Sequence, residues 1–499
     1  MPGLPSGNAG THGVIGMIEN RVRDLLQIEY EKRLLIYDKE QFASCFDYQQ
    51  MLTAAGFKVY SYDDVEQMRY LYETEIRNKD TKCAIIVRDN IYVPSDIRRA
   101  LHEVTISLQT VYPLMQHQVI EKHIGDIELI DFSYDVFAQQ CLKKEATERF
   151  IRYTTYSKEI IQQYIDQKDR ELGEKVEQAH KATDWIEIAK ANAKLEKYAS
   201  QHGLRRDQAA IDEAFSVFIA SNYQKLANTV SGKYPAILPK VIDRIATGGK
   251  VALLVADGMS MFDFEVLSDY MSQYDYDYGA TYALIPTITS VSRQSLLAGK
   301  YPQQLKDPFS LSGEESGFFN AAQEHSYSKQ QTFYGRGYQA DPGPLAKFVA
   351  IIVNDIDDMV HGQKQGRVGM LHDVELWAKE GNLLELVDKL LERGFKVFIT
   401  ADHGNTECTG GGSIRKLGVE TETKSKRMVV LKDFADVSEE LDARTFEYPG
   451  YYLDKKYQYR ICKGRTSFDN KNETVMTHGG ITIEEVIVPL VEVRGRKHG

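Results

Sequence analysis

Residues Val251–Gly258 read VALLVADG, an apolar run that ends in Asp-Gly. A second apolar run, FKVFI at 395–399, leads directly into TADHG at 400–404. Short apolar runs of this kind, bounded by polar or glycine residues, predict buried strands of a parallel sheet. We therefore expect Asp257 and Asp402 to project from the carboxyl edge of that sheet, where open α/β sheets bind their ligands.

Three further segments add carboxylates, imidazoles and hydroxyls. They are PTITSVSRQSLLAG at 286–299, DDMVH at 357–361 and THGG at 477–480. Asp357 and His361 are four residues apart, so they would share one face of a helical turn. A single D-H-G or H-G-G is usually only a turn, but the joint occurrence of all these segments indicates a metal site. Oxygen and imidazole donors in this mixture suit Zn²⁺, with Mn²⁺ as the alternative.

One ligand of this set is ambiguous from the residues alone. Asp355 and Asp358 flank Asp357, and each of the three could be the carboxylate that binds a metal. Only Asp357 has the four-residue spacing to His361, so Asp357 is our prediction.

Together the segments resemble the alkaline phosphatase superfamily, and more narrowly its PglZ-type branch, whose members occur in BREX-type phage-defence systems. The resemblance covers roughly residues 245–495. It implies an α/β fold with an alkaline-phosphatase-like catalytic domain, a parallel central sheet, a phosphoester substrate and two divalent metal ions. The ligands implied for the first ion are Asp257, Asp402, His403 and Thr289, and those for the second are Asp357, His361 and His478.

The resemblance also implies a nucleophile. Nucleotide pyrophosphatases of the superfamily carry a P-T-x-T segment whose second Thr attacks phosphorus, with a Gly ten residues further on. Pro286, Thr287, Thr289 and Gly299 repeat this spacing, which favours Thr289 over the neighbouring hydroxyl of Thr287. Attack would give a covalent phospho-threonine that water then hydrolyses. Arg293, one helical turn further on, is expected to contact a non-bridging phosphate oxygen.

A chain of 499 residues is too long for one ordinary domain. Before the catalytic segments, the sequence first alternates predicted helices and strands, as in a parallel α/β domain, and then continues as a Pro-free helical stretch. Within the catalytic domain, residues 375–394 predict one amphipathic helix. The predicted divisions are a disordered leader at 1–13, a small α/β N-terminal domain at 14–110, a helical linker domain at 111–239 and the catalytic domain at 240–499.

Composition restricts the partners. The net charge of −11 argues against a broad nucleic-acid surface, although a local basic pocket remains compatible with it. The five cysteines have neither metal-site spacing nor a disulfide pattern, which is typical of a reduced, cytoplasmic protein. No apolar stretch reaches the length of a membrane span, and residues 1–13 lack the features of a signal peptide.

The favoured function is a two-metal phosphodiesterase or phosphatase acting on a nucleotide or short oligonucleotide, in phage defence or signalling. The alternatives are a small-metabolite phosphomonoesterase or phosphomutase, and an inactive scaffold subunit of a phage-defence complex. Two inserts, at 303–346 and 409–474, are expected to wall the site and select the substrate. Tyr334, Arg336 and Lys347 are candidates for that wall.

Overall fold

A computed structural model of the chain describes residues 17–62, 64–88, 91–137, 143–228, 230–231, 234–413, 425–432 and 438–497. The chain divides into two compact units, Met1–Gln167 and Lys168–Gly499. The leader predicted at 1–13 lies outside the described residues. Among the described helices, none combines the length and the apolarity that a bilayer span requires.

The first unit is built on a four-stranded parallel sheet. Its strands are β1 Arg33–Tyr37, β2 Lys58–Tyr62, β3 Cys83–Val87 and β4 His102–Thr105, in the order β2-β3-β1-β4. Alternate residues of a strand point to opposite faces, and Leu34 and Leu35 accordingly lie in two different apolar clusters. A small parallel α/β arrangement therefore lies in this part of the chain, and the compact unit that contains it extends to Gln167. Its helices are α1 Met17–Leu26, α2 Tyr48–Ala54, α3 Val65–Leu71, α4 Ser95–Arg99, α5 Leu108–Val111, α6 His117–Glu121, α7 Ile127–Phe137 and α8 Lys144–Phe150.

The second unit is built on a six-stranded mixed sheet and several small ones. Its strands are β5 Val230–Ser231, β6 Tyr234–Pro235, β7 Val251–Ala256, β8 Tyr274–Tyr282, β9 Thr332–Arg336, β10 Phe348–Val353, β11 Lys396–Thr400, β12 Thr406–Gly410, β13 Met428–Lys432, β14 Thr445–Tyr448, β15 Tyr457–Cys462, β16 Thr466–Ser467, β17 Thr474–Thr477 and β18 Ile487–Arg496. The large sheet has the order β8-β18-β11-β7-β10-β9. Strands β11, β7, β10 and β9 are mutually parallel, and β18 is antiparallel to both of its neighbours. The predicted α/β fold with a parallel-rich central sheet is confirmed.

Helices pack into the same core as this sheet, and the first three of those listed next lie within the predicted linker domain. The helices are α9 Lys158–Glu177, within which the two units divide, α10 Ala182–Gln201, α11 Ala209–Asn222, α12 Val241–Ile245, α13 Met261–Ser268, α14 Thr289–Ala298, α15 Glu314–Glu324, α16 Asp355–Gly362, α17 Gly366–Glu380, α18 Asn382–Glu392, α19 Glu439–Arg444 and α20 Ile483–Val486. Trp185 of α10 and Phe215 of α11 pack edge-to-face, with ring centroids 5.1 Å apart, within the same apolar core as the sheet residues. The compact unit therefore begins near residue 168, whereas the sequence predicted a boundary at 239/240.

The single helix predicted at 375–394 is two helices in the structure. Gly381 has φ +77°, a left-handed conformation that ends α17 and precedes α18. Glycine adopts this conformation without the steric penalty that a Cβ would bring. The amphipathic pattern continues across the break because both helices pack on the same core.

The strands bring the ends of distant segments together. Strands β7 and β10 are buried along their whole length, and Ala256 lies opposite Val353 in their parallel register. Val255 lies opposite Thr400 of β11. The residues that follow these three strands therefore emerge side by side at the carboxyl edge of the sheet. In a smaller sheet, Thr406 of β12 pairs with Thr477 of β17, which brings the THGG segment to the same place.

Candidate metal centre

The first predicted ligand group is assembled at the carboxyl edge of the sheet. Potential ligand atoms of Asp257, Asp402 and His403 all lie within 4.8 Å of one another. The Nε2 atom of His403 is 3.8 Å from Oδ1 of Asp257 and 3.9 Å from Oδ2 of Asp402. The Oγ1 atom of Thr289 is 3.0 Å from the same Nε2. Thr289 is the first residue of α14, so the predicted hydroxyl lies at the start of a helix beside the ligand group.

The second predicted group lies beside the first. Asp357 and His361 are one turn apart on α16, with Oδ2 of Asp357 3.4 Å from Nε2 of His361. The other carboxylate oxygen of Asp357 is 3.5 Å from Nε2 of His478. His403 also lies within 4.8 Å of the Asp357 and His478 ligand atoms, and its ring stacks on that of His478 at 4.1 Å. The structure thus brings all seven predicted ligands together, with His403 between the two groups.

Backbone carbonyls orient two of the imidazoles. The Nδ1 atom of His403 is 3.0 Å from the Gly404 carbonyl oxygen, and Nδ1 of His478 is 2.9 Å from the Thr287 carbonyl oxygen. A carbonyl oxygen only accepts hydrogen bonds, so each Nδ1 must carry the proton and donate. Each Nε2 is then left with a lone pair directed at the carboxylates, as in a typical metal-binding histidine.

Three carboxylate oxygens at this centre are buried and lack a hydrogen-bond partner among the described residues. They are Oδ1 of Asp257, Oδ2 of Asp402 and Oδ1 of Asp357. A buried anionic oxygen without a donor is costly, and native structures generally satisfy such atoms. Divalent cations would satisfy all three oxygens, and the oxygen and imidazole donor set is the one that Zn²⁺ accepts. The residues present therefore fit a pair of metal ions.

The electrostatics of the metal-free centre reflect this concentration of acids. Burial, and then the neighbouring Asp402 carboxylate, raise the pKa of Asp257, and burial raises the pKa of Asp402. Burial would also raise the pKa of Asp357, but the hydrogen bond from His361 and the nearby His478 lower it overall. Burial, and then the neighbouring His403 imidazole, lower the pKa of His478 to about 4. A neutral His478 is the form that can bind a metal.

Arg293 lies behind the carboxylates. Its guanidinium is almost fully buried and forms ion pairs with Asp257, through Nη1, and with Glu314, through Nε at 2.8 Å. The same Nη1 lies 4.0 Å from Oδ2 of Asp402. Burial opposes the charge of Arg293, but these carboxylates raise the pKa of the guanidinium overall. The structure thus places Arg293 on metal-site carboxylates, where the sequence predicted a contact with phosphate.

Two glycines of the motifs permit close approach of the backbone. Gly258 has φ +75°, and a Cβ there would lie 3.4 Å from Oδ1 of Asp357. A Cβ on Gly404 would lie 1.9 Å from the carbonyl oxygen of Glu484, so no other residue fits without a shift of the backbone. The backbone conformation at Gly258 and the close contact at Gly404 therefore explain why glycine follows the Asp and the Asp-His pair at this edge of the sheet.

One residue that the sequence analysis missed connects the two histidine-bearing turns. The Glu485 carboxylate accepts hydrogen bonds from the backbone N–H groups of Gly480 and Thr482, at 2.7 and 3.0 Å. Its backbone carbonyl accepts from the Gly404 N–H at 2.9 Å, and Arg427 pairs with its side chain at 2.9 Å. The T-x-x-E spacing from Thr482 to Glu485 is a capping-box pattern that could have indicated this role.

The predicted wall residues lie in different places. Tyr334 and Arg336 are at the carboxyl end of β9, so they lie at the same edge of the sheet as the candidate metal ligands. Lys347 precedes β10, so it lies at the opposite edge of the sheet. Its prediction as a wall residue is wrong, because that edge faces away from the ends of β7 and β11.

The fold and this centre together define an alkaline-phosphatase-like α/β protein. Residues 239–493 match the family described as the BREX system PglZ alkaline phosphatase-like domain, a match over half of the chain. The chain therefore belongs to the PglZ family. The search of curated proteins returned no match.

The solved structures that match this chain are distant in sequence. Murine ectonucleotide pyrophosphatase/phosphodiesterase 5 is 10% identical over 48% of this chain and 87% of its own, with a TM-score of 0.33. The human protein is 11% identical with the same coverage and TM-score. Phosphonoacetate hydrolase from Sinorhizobium meliloti 1021, in complex with phosphonoformate, is 11% identical over 49% of this chain and 89% of its own, with a TM-score of 0.31.

Proposed function

We propose that this protein is a two-metal phosphodiesterase or phosphatase that uses Thr289 as its nucleophile. The observation that carries the proposal is the convergence of three buried carboxylate oxygens, which lack hydrogen-bond partners among the described residues, with three histidines. One of these histidines, His403, contacts the Thr289 hydroxyl. Such an arrangement is costly in a protein that binds no cation. Membership of the PglZ family supports a phosphoester substrate.

The residues of the chain have defined tasks in this proposal. The Thr289 hydroxyl donates to Nε2 of His403, which places its oxygen beside the ligand group. Thr289 opens α14, and the first N–H groups of a helix, which have no carbonyl partner within the helix, favour a phosphate. Bound cations would supply Lewis acidity, lowering the pKa of the hydroxyl and stabilising charge on the phosphoryl oxygens.

The substrate in this proposal is a nucleotide or a short oligonucleotide, and the setting is phage defence or signalling. The family description supports the setting, since it names the BREX system. The acidic net charge of −11 favours a short or single-stranded substrate over a long duplex, whose phosphates would need an extended basic surface. We further propose that the protein acts with other subunits of a defence complex.

Metal content tests the centre directly. Protein purified without chelator, or loaded with Zn²⁺ or Mn²⁺, is expected to contain about two ions per chain by elemental analysis. Asp357→Asn should remove about one ion, whereas the matched variant Asp358→Asn should remove none. Asp358 is the exposed neighbour of Asp357 on the same helix and belongs to neither ligand group.

Activity tests the rest of the proposal. The loaded protein should hydrolyse bis-(p-nitrophenyl) phosphate, and a chelator should abolish the reaction reversibly. A folded protein that binds no divalent ion under any loading condition would refute the metal centre. Full metal content without hydrolysis of any monoester or diester would favour the inactive scaffold instead.

A further inference from the structure

The insert that follows α14 contributes a buried carboxylate close to the metal centre. Glu314, the first residue of α15, is 2% exposed. Its side chain accepts hydrogen bonds from Nε of Arg293 at 2.8 Å, from Nη2 of Arg336 at 2.8 Å and from the Tyr334 hydroxyl. A buried carboxylate with donors on both oxygens is held in one orientation.

Glu314 determines how Arg293 meets Asp257. An arginine commonly binds a carboxylate through two parallel N–H groups, which would engage both oxygens of Asp257. Here Glu314 holds the Nε side of the guanidinium, and of the two Asp257 oxygens Oδ2 is the one that accepts from Nη1. The second oxygen, Oδ1, has no hydrogen-bond partner among the described residues and faces Nε2 of His403. That oxygen is the one available to a cation.

We propose that Glu314 is a positioning residue that keeps Arg293 from competing with the metal ion for Asp257. The inference rests on the metal centre proposed above. The negative charge of Glu314 also offsets the positive charge of Arg293, which would otherwise repel a divalent ion across a few ångströms of buried protein. Outer residues of this kind commonly change metal affinity because they orient the direct ligands.

Zinc affinity of the metal-free protein tests the proposal without reference to activity. Zn²⁺ is titrated into the full chain in competition with a chromophoric chelator. Glu314→Gln keeps the size of the side chain but removes its charge, and it should weaken the binding of one of the two ions by about 10- to 100-fold. Glu315→Gln removes the same charge from the exposed neighbouring residue and should leave both affinities unchanged.

A double variant separates competition by Arg293 from a general structural defect. Arg293→Gln combined with Glu314→Gln removes the competing cation, so it should bind Zn²⁺ more tightly than Glu314→Gln alone. Wild-type affinity in Glu314→Gln, or a loss that the double variant does not recover, would overturn the proposal. If Glu314→Gln does not fold, Glu314→Asp withdraws the carboxylate by one methylene and should show the same loss and the same recovery.

The two proposals fail in different ways. If the wild type and Glu315→Gln bind no zinc, the metal centre itself is refuted, and the role of Glu314 falls with it. If the wild type binds two ions and Glu314→Gln binds them equally well, only the positioning role is refuted.

Discussion

Thr287 and Thr289 are neighbours in the turn before α14, but the structure gives their hydroxyls different surroundings. Substitution of each threonine should therefore have a different effect on activity and on stability. Thr289 is partly exposed, and its hydroxyl contacts Nε2 of His403. Thr287 is fully buried; its hydroxyl donates to the Gly480 carbonyl and accepts from the Gly479 N–H, both at 3.0 Å. We therefore expect Thr289 to matter for chemistry and Thr287 for stability.

The magnitudes follow from these contacts. Thr289→Ala loses one hydrogen bond at a partly exposed position, so the free energy of unfolding should fall by less than about 1 kcal/mol. Loss of a nucleophile should nevertheless lower kcat by about three orders of magnitude or more. Thr287→Ala leaves a buried N–H and a buried carbonyl without their partner, which should cost about 2–4 kcal/mol. Its kcat should stay within about tenfold of the wild type, since the attacking oxygen remains.

Urea unfolding and aryl phosphodiester hydrolysis by the zinc-loaded variants measure the two effects. Thr287→Ser keeps the hydroxyl and should recover most of the stability lost in Thr287→Ala. The reasoning is refuted if Thr287→Ala abolishes turnover in a stable protein while Thr289→Ala remains active.

Two further predictions concern substrate class and pH. Since Arg293 is engaged by carboxylates, little positive charge from the motif segments remains for a dianionic monoester, so bis-(p-nitrophenyl) phosphate should have a higher kcat/KM than p-nitrophenyl phosphate; the opposite order would favour the phosphatase or mutase alternative. Burial opposes the charge of Glu484, but Arg367 and Arg465, at 3.0 and 2.8 Å, lower its pKa overall. Glu484 therefore stabilises the fold above the unfolded pKa of about 4.3, and this stability is lost as the pH falls through the folded pKa. Glu484→Gln should lower the unfolding free energy at pH 7 by about 3–5 kcal/mol and flatten its acid dependence, unlike exposed Glu439→Gln; equal unfolding curves for the two variants would contradict this.

The positions of the strand-end acids could be predicted because they depend on local pattern. A short apolar run must be buried, and the residue after it must emerge at the sheet edge, which located Asp257 and Asp402. The spacing of Asp357 and His361 likewise predicted the shared helical face that α16 provides. His478 came only from the family resemblance, since no local pattern shows which distant turn will close a site.

Other features depend on tertiary contacts that no local pattern encodes. Arg293 lies on the predicted helix, but the direction of its side chain is set by Asp257 and by Glu314, which belongs to the insert that follows α14. A helical pattern of apolar residues predicts an apolar face, but such a face does not specify the surface against which it packs. The assignment of α10 and α11 to a separate linker followed from that ambiguity.

The packing of α10 and α11 bears on which part of the chain would have to be transferred together with the candidate site. The hydroxyl of Tyr223, just after α11, donates to the Ala283 carbonyl at 2.9 Å and accepts from the Ile285 N–H at 3.0 Å. These residues lead directly into the nucleophile turn, so helices that precede the family match help to shape the turn that presents Thr289. Residues 239–493 carry the family match, whereas the compact unit that contains them starts near residue 168. We therefore expect a transferable fragment to need the residues from about 168 onwards.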